Sequence, residues 1–125
     1  MKVFYLILML HFIADFTLQG CLANLKQKKW WITECEKYNV DFTKYKHDYI
    51  CGLICHALYW TLITFAPVIF FTNLSDMGLA MVIIGNMCFH AVVDHVKANK
   101  FYINLVEDQI LHLGQIILTV FLVNF

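Results

Sequence analysis

The chain has 125 residues, 61% of them hydrophobic and 14% charged, and its formal net charge is zero. Soluble domains run nearer half apolar and a quarter charged, so this composition, with a mean hydropathy of +0.66, argues against a soluble globular domain and for a chain that meets lipid. All nine basic residues are lysine, and without a guanidinium fork or a net positive charge a nucleic-acid partner is not expected.

The first apolar run, Val3 to about Leu22, follows Lys2. It imitates a secretory leader, but His11 and Asp15 interrupt the apolar stretch and no clean small-x-small site follows. It reads instead as a retained helix. A polar segment, Ala23 to Asp48, comes next. It holds six lysines, four acidic residues and the pair Trp30-Trp31. Tryptophan favours the headgroup level, which predicts an interfacial segment lying along the membrane surface. The second run covers about Tyr49 to Phe71, with a kink expected at Pro67. Its aromatic residues Tyr59-Trp60 and Phe70-Phe71 read as lipid-facing or interfacial.

A short turn, Thr72 to Asp76, leads to the third run, about Met77 to Val96. Lys97 to Glu107 alternates lysines with apolar residues and reads as a short interfacial or re-entrant stretch. The fourth run covers about Asp108 to Phe125. Each run approaches the roughly 20 residues that a helix needs to cross a hydrocarbon core of about 30 Å. The expected fold is therefore all-α, one integral membrane four-helix bundle with spans about 3–22, 49–71, 77–96 and 108–125.

Eight of the nine lysines fall in the first and third connections. The positive-inside rule then places those connections in the cytoplasm, both termini outward, and the protein in a bacterial inner membrane. Of the five cysteines, Cys51 and Cys55 sit in an apolar run and are expected to pack as small hydrophobes. No CxxC spacing or disulfide framework is visible.

Ionisable residues inside the runs carry the functional signal. They are His11 and Asp15 in the first, His56 in the second, His90 and Asp94 in the third, and Asp108 and His112 in the fourth. Such groups are costly in a membrane and normally face a partner or a cavity. His11/Asp15, His90/Asp94 and Asp108/His112 are each four residues apart, so each pair shares one helix face. Lys97, Gln19 and Gln115 extend those faces, and Gly52 lies one turn before His56, where it permits close backbone approach.

With alternating helix direction and a rise of about 1.5 Å per residue, His11, His56 and His90 lie roughly 10–14 Å from the cytoplasmic end. Asp15, Asp94 and His112 lie roughly 6–8 Å from it, with Asp108 at the boundary. All seven side chains are thus expected to converge in one half of the bundle. His95 points about 100° away from Asp94 and is expected to be peripheral. His47 reads as a solvated loop residue.

Four imidazoles and three carboxylates suit a divalent metal, zinc first, with manganese or iron as alternatives. The expected ligands are His11, Asp15, His56, His90, Asp94, Asp108 and His112. Asp15, Asp94 and Asp108 are also candidates for a general base or for orienting the histidines, and Lys97 for stabilising developing negative charge. The leading expectation is a metal-dependent hydrolase acting on a lipid or lipid-linked substrate. Its alternatives are a proton or divalent-cation relay, hydrogen-bonded polar glue within the bundle, and a non-catalytic phage or host accessory protein. Homo-oligomerisation is compatible with four short spans.

The pattern His11-x3-Asp15-Phe16-x2-Gln19, His56, His90-x3-Asp94-x2-Lys97 and Asp108-Gln109-x2-His112 resembles a family of small bacterial and phage membrane proteins, domain of unknown function 3307. The resemblance runs from the first helix to the last. It implies a membrane protein with a conserved-type polar site and implies no particular reaction. A looser similarity is to small membrane-bound metal-dependent hydrolases with His and Asp in short helical bundles, although their Thr-His-Ser type element is missing here.

Overall fold

The computed structural model describes residues 2–123. Among them the chain is all-α, with no strand. Helix α1 (Lys2–Phe12) runs into a π-helical turn, Ile13–Thr17. Two short helices follow, α2 (Leu22–Leu25) and α3 (Lys28–Lys37), and then a 3₁₀ turn, Phe42–Lys44. Helices α4 (Asp48–Thr64) and α5 (Ala66–Phe71) come next. The chain ends in α6 (Asp76–His95), a second π turn at Val96–Lys100, and α7 (Leu105–Leu122).

Local chemistry fixes most of these boundaries. Ser75 starts α6 by accepting the Gly78 N–H at 3.2 Å. Asn104 and Glu107 start α7 with a reciprocal cap. Asn104 Oδ1 accepts from the N–H groups of Val106 and Glu107 at 2.8 and 3.0 Å, and Glu107 Oε2 accepts from Asn104 N–H at 2.8 Å. Pro67 sits in the first turn of α5, where its missing N–H leaves no helical bond unmade. The kink expected there is a break at Phe65.

Three boundaries differ from the sequence expectation. The first span stops at Thr17 because Leu18 N–H reaches back to Ile13 O at 3.0 Å, widening the turn, and Gly20 at φ +52° then reverses the chain. Gln19 therefore lies beyond the helix and does not continue the His11/Asp15 face. The stretch Lys97–Glu107 is not one interfacial segment: it divides into the π turn, a short loop and the first turn of α7. The apolar pair Leu105-Val106 resembled a surface strap, but the Asn104 cap makes it helical. The last residues of the fourth expected span, 124 and 125, lie outside the described residues.

α1 packs on α4, α5 and α7, α4 packs most extensively on α6, and α6 packs on α7, so these helices close around a shared interior. Two of them, Asp76–Lys100 and Leu105–Leu122, are long and apolar enough to cross a membrane. α4, with 17 residues, and α1, with 11 before its π turn, are shorter.

The segment between α1 and α4 is not a simple surface strap. α2 lies against α4, and the contact is possible only because position 52 has no side chain: a Cβ on Gly52 would land on the Leu25 carbonyl. The Trp31 indole donates to Leu25 O at 2.9 Å and stacks on Tyr45, which ties α3 to the same place.

The interior inverts the usual order. Ten apolar residues are buried against thirteen polar or charged ones, while Met81, Val92, Leu118 and Phe121 are well exposed on the outer faces of α6 and α7. The apolar cluster of Ile7, Ala14, Trp60, Phe65, Val68 and Ile116 fills one end of the interior. The charged groups fill the other.

Candidate metal centre

The i, i+4 spacing puts His90 and Asp94 on the inward face of α6, and Asp108 and His112 on that of α7. α4 contributes His56 and α1 contributes His11, with Asp15 carried on its π turn. All seven side chains are buried; His11, His56, His90, Asp108 and His112 have no exposed surface at all. The structure therefore brings these seven side chains together, while Gln19 and Gln115, expected to extend their faces, lie apart from them.

Asp94 is the hub. Its Oδ2 lies 3.0 Å from His56 Nε2 and 3.6 Å from His90 Nε2, and its Oδ1 lies 3.8 Å from His112 Nε2. His56 Nε2 and His90 Nε2 are 3.2 Å apart. His90 stacks on His112, 4.2 Å away, and on the Trp60 indole, 4.0 Å away. Two compact groups of possible ligand atoms result, Asp15–His56–His90 and His90–Asp94–His112, each with its atoms within 4.8 Å of one another.

His11 and Asp108 stand beside these groups rather than in them. Trp60 Nε1 can only donate, so at 3.1 Å it must meet a lone pair on His11 Nδ1. The proton of His11 then sits on Nε2 and is given to Gln109 Oε1 at 3.1 Å. Both ring nitrogens are thus used, and His11 is in neither group of possible ligand atoms. Gln109 Nε2 in turn donates to Asp15 Oδ2 at 2.7 Å and to Asp108 Oδ2 at 3.1 Å. Asp108 is also held by Lys97 Nζ at 2.6 Å, and its Oδ1 lies 3.4 Å from His112 Nε2.

Three participants were not anticipated. Lys26, counted among the loop lysines, is buried, and its ammonium reaches Asp94 Oδ2 at 2.7 Å and His56 Nε2 at 3.1 Å. Trp60, expected at the lipid face, is fully buried. Its spacing of four from His56 was the available signal. Gln109, adjacent to Asp108, links α7 to α1. Of the residues set aside, His95 stacks on Tyr49 away from the centre, and His47 is exposed before α4. Gln115 bonds instead to Asn86 O and Oδ1, both at 2.8 Å. The five cysteines are free and four of them are exposed, so Cys51 and Cys55 pack at the outer surface.

The donor set fits a divalent cation on chemical grounds. Buried polar groups are normally paired, yet His56 Nδ1, His90 Nδ1, both nitrogens of His112 and Asp108 Oδ1 are buried without a hydrogen-bond partner. Lysine is a donor only, so Lys26 must also meet a lone pair on His56 Nε2. That lone pair and Asp94 Oδ2, 3.0 Å apart, are bridged by the Lys26 ammonium, a position that a metal cation competes for, and imidazole nitrogen with carboxylate oxygen suits zinc, manganese or iron.

A separate groove lies elsewhere. It is open and mainly apolar, of about 640 Å³, between α6 and α7, lined by Gly85, Asn86, Gly114 and Gln115 among others. No protein-family model, curated protein or solved structure matches this chain.

Proposed function

We propose that the chain is a membrane-embedded, metal-dependent hydrolase whose His/Asp centre works in the cytoplasmic half of a four-span bundle. The single observation that carries this reading is the convergence of His56, His90, Asp94 and His112, fully buried or nearly so, with imidazole nitrogens left unpaired.

Asp15, His56, His90, Asp94 and His112 are the proposed ligands, zinc first and manganese or iron as alternatives. When bound, such an ion polarises a carbonyl or phosphoryl oxygen and supplies hydroxide at neutral pH. The remaining residues hold the geometry. Trp60 and Gln109 fix the tautomer of His11, Gln109 anchors Asp15, and Lys97 positions Asp108 as the proton acceptor. The inverted interior and the exposed apolar faces of α6 and α7 support insertion in a bilayer. The lysine distribution supports a cytoplasmic-membrane protein with its Lys-rich connections inside. A lipid or lipid-linked substrate follows from that location, and the resemblance to the small membrane-protein family belongs to the same reading.

A relay of protons or divalent cations has one observation in its favour. Thr119, Asn86 and Gln115 form a buried hydrogen-bonded group on α6 and α7, beyond His90 and His112. These three residues line the groove between α6 and α7, whose lining carries no charged side chain, which favours a closed centre over a path.

Elemental analysis of detergent-purified protein tests the proposal. Wild type is expected to hold about one equivalent of metal, and His90→Ala and His112→Ala to lose it while remaining folded. Metal-free wild type, or full retention by both variants, contradicts it.

A further inference from the structure

Two ammonium groups reach into this centre, and each is bonded to a carboxylate that borders the ligand set. Lys26 is held on Asp94, and Lys97 on Asp108. One structural device places both. The π turn at Val96–Lys100 carries Lys97 toward Asp108 and, two residues on, Asn99 toward α2. Asn99 Nδ2 donates to Lys26 O at 3.0 Å, and Asn99 Oδ1 accepts from Lys28 N–H at 2.7 Å. The backbone beneath the Lys26 side chain is therefore clamped, and Gly52 provides the space for that approach. Wide helical turns of this kind are concentrated at functional sites.

The charge balance gives these lysines a meaning. Asp15, Asp94 and Asp108 outnumber Lys26 and Lys97 by one, leaving one excess negative charge with neutral imidazoles. A divalent cation turns that into one excess positive charge. In a low-dielectric interior an uncompensated charge is costly. The hydroxide that such an ion supplies offsets that charge, and ammonium groups freed as their carboxylates turn to the cation are left to meet an anionic group of the substrate. A cation on Asp94 also competes with the Lys26 ammonium for the same oxygen, Oδ2, and releases its hydrogen bonds. The Lys97 side chain, 30% exposed, marks the open edge of the centre.

We infer that Lys26 and Lys97 form an anion subsite beside the metal centre, and that the substrate carries a phosphate group. This inference rests on the metal-dependent reading proposed above and narrows its substrate class. The ammonium groups act as point charges, which suits the phosphate of an ester or of a lipid headgroup. Both lysines are kept near the centre by their backbones, so the subsite persists after the carboxylates have turned to the cation.

Titration of inorganic phosphate into zinc-loaded protein in micelles tests the subsite, with bound zinc measured in the same samples. Lys26→Met and Lys97→Met are each expected to weaken phosphate binding at least tenfold while keeping the zinc. Lys97→Arg, which keeps the charge, is expected to stay within about threefold of wild type. Phosphate that fails to bind the zinc-loaded wild type, or binds both Met variants equally well, overturns the inference and leaves the metal reading standing. Zinc that never binds overturns both, and the zinc measurement tells the two failures apart. A parallel titration with phosphatidate separates the sources. Tighter binding than inorganic phosphate supports a lipid headgroup; equal or weaker binding overturns the lipid source in favour of a soluble phosphate ester.

Discussion

Trp60 serves two histidines at once, stacking flat on His90 at 4.0 Å and donating its indole N–H to His11 at 3.1 Å. Replacing it with Phe preserves much of the stacking surface and removes the donor. His11 Nδ1 then becomes a buried acceptor without a partner, at a cost of about 1–3 kcal/mol. Trp60→Phe is expected to lower unfolding stability in detergent by that amount and to leave the metal content unchanged, because His11 lies outside both groups of possible ligand atoms. Loss of metal on this substitution would return His11 to the ligand set.

The same residues mark what the sequence made legible. His11, Asp15, His90, Asp94, Asp108 and His112 stood out because helical spacing turns an i, i+4 pair into a shared face whatever the tertiary packing. Lys26 did not, because nothing distinguishes it from Lys28 or Lys29 in a segment without periodicity. Its burial depends on α2 folding back over Gly52, a contact between residues far apart in the chain. Trp60 was assigned to lipid because an aromatic residue in a hydrophobic run fits an interfacial belt equally well.

At the level of elements, the bundle depends on two irregular turns and one glycine. The π turn after α1 carries Asp15 inward, and the π turn after α6 aims Lys97 and Asn99. Gly52 lets the α2 backbone reach α4. A methyl group there meets the Leu25 carbonyl, which is backbone and has no rotamer to escape into. Gly52→Ala is therefore expected to cost about 1–3 kcal/mol of stability through overpacking. It is also expected to lift Lys26 off Asp94, detectable as faster acylation of the Lys26 amine by a small reagent. Unchanged stability and labelling would mean that α2 is not held against α4. Hydropathy located α4, α6 and α7 well, because their apolar runs are long. It misjudged the ends of α1 and α7, since a widened turn and a side-chain cap are set by single hydrogen bonds that hydropathy does not register.

Considered as a whole, the molecule buries Asp15, Lys26, Asp94 and Asp108 and leaves much of its oil outside. Asp94 and Asp108 are almost completely buried, while Phe121 and Tyr5 are largely exposed. In water such an arrangement has no driving force for burial; in lipid it follows from the bilayer acting as the apolar solvent. What holds the charged end together is then the mutual compensation of carboxylates, imidazoles and lysines, which the proposed divalent ion would complete. Zinc K-edge X-ray absorption on the purified, zinc-loaded protein tests that claim most directly. The account predicts a first shell of nitrogen and oxygen at about 2.0–2.1 Å with histidine ring scattering beyond it. A sulfur shell at about 2.3 Å, which only the cysteines outside this centre can supply, would contradict it.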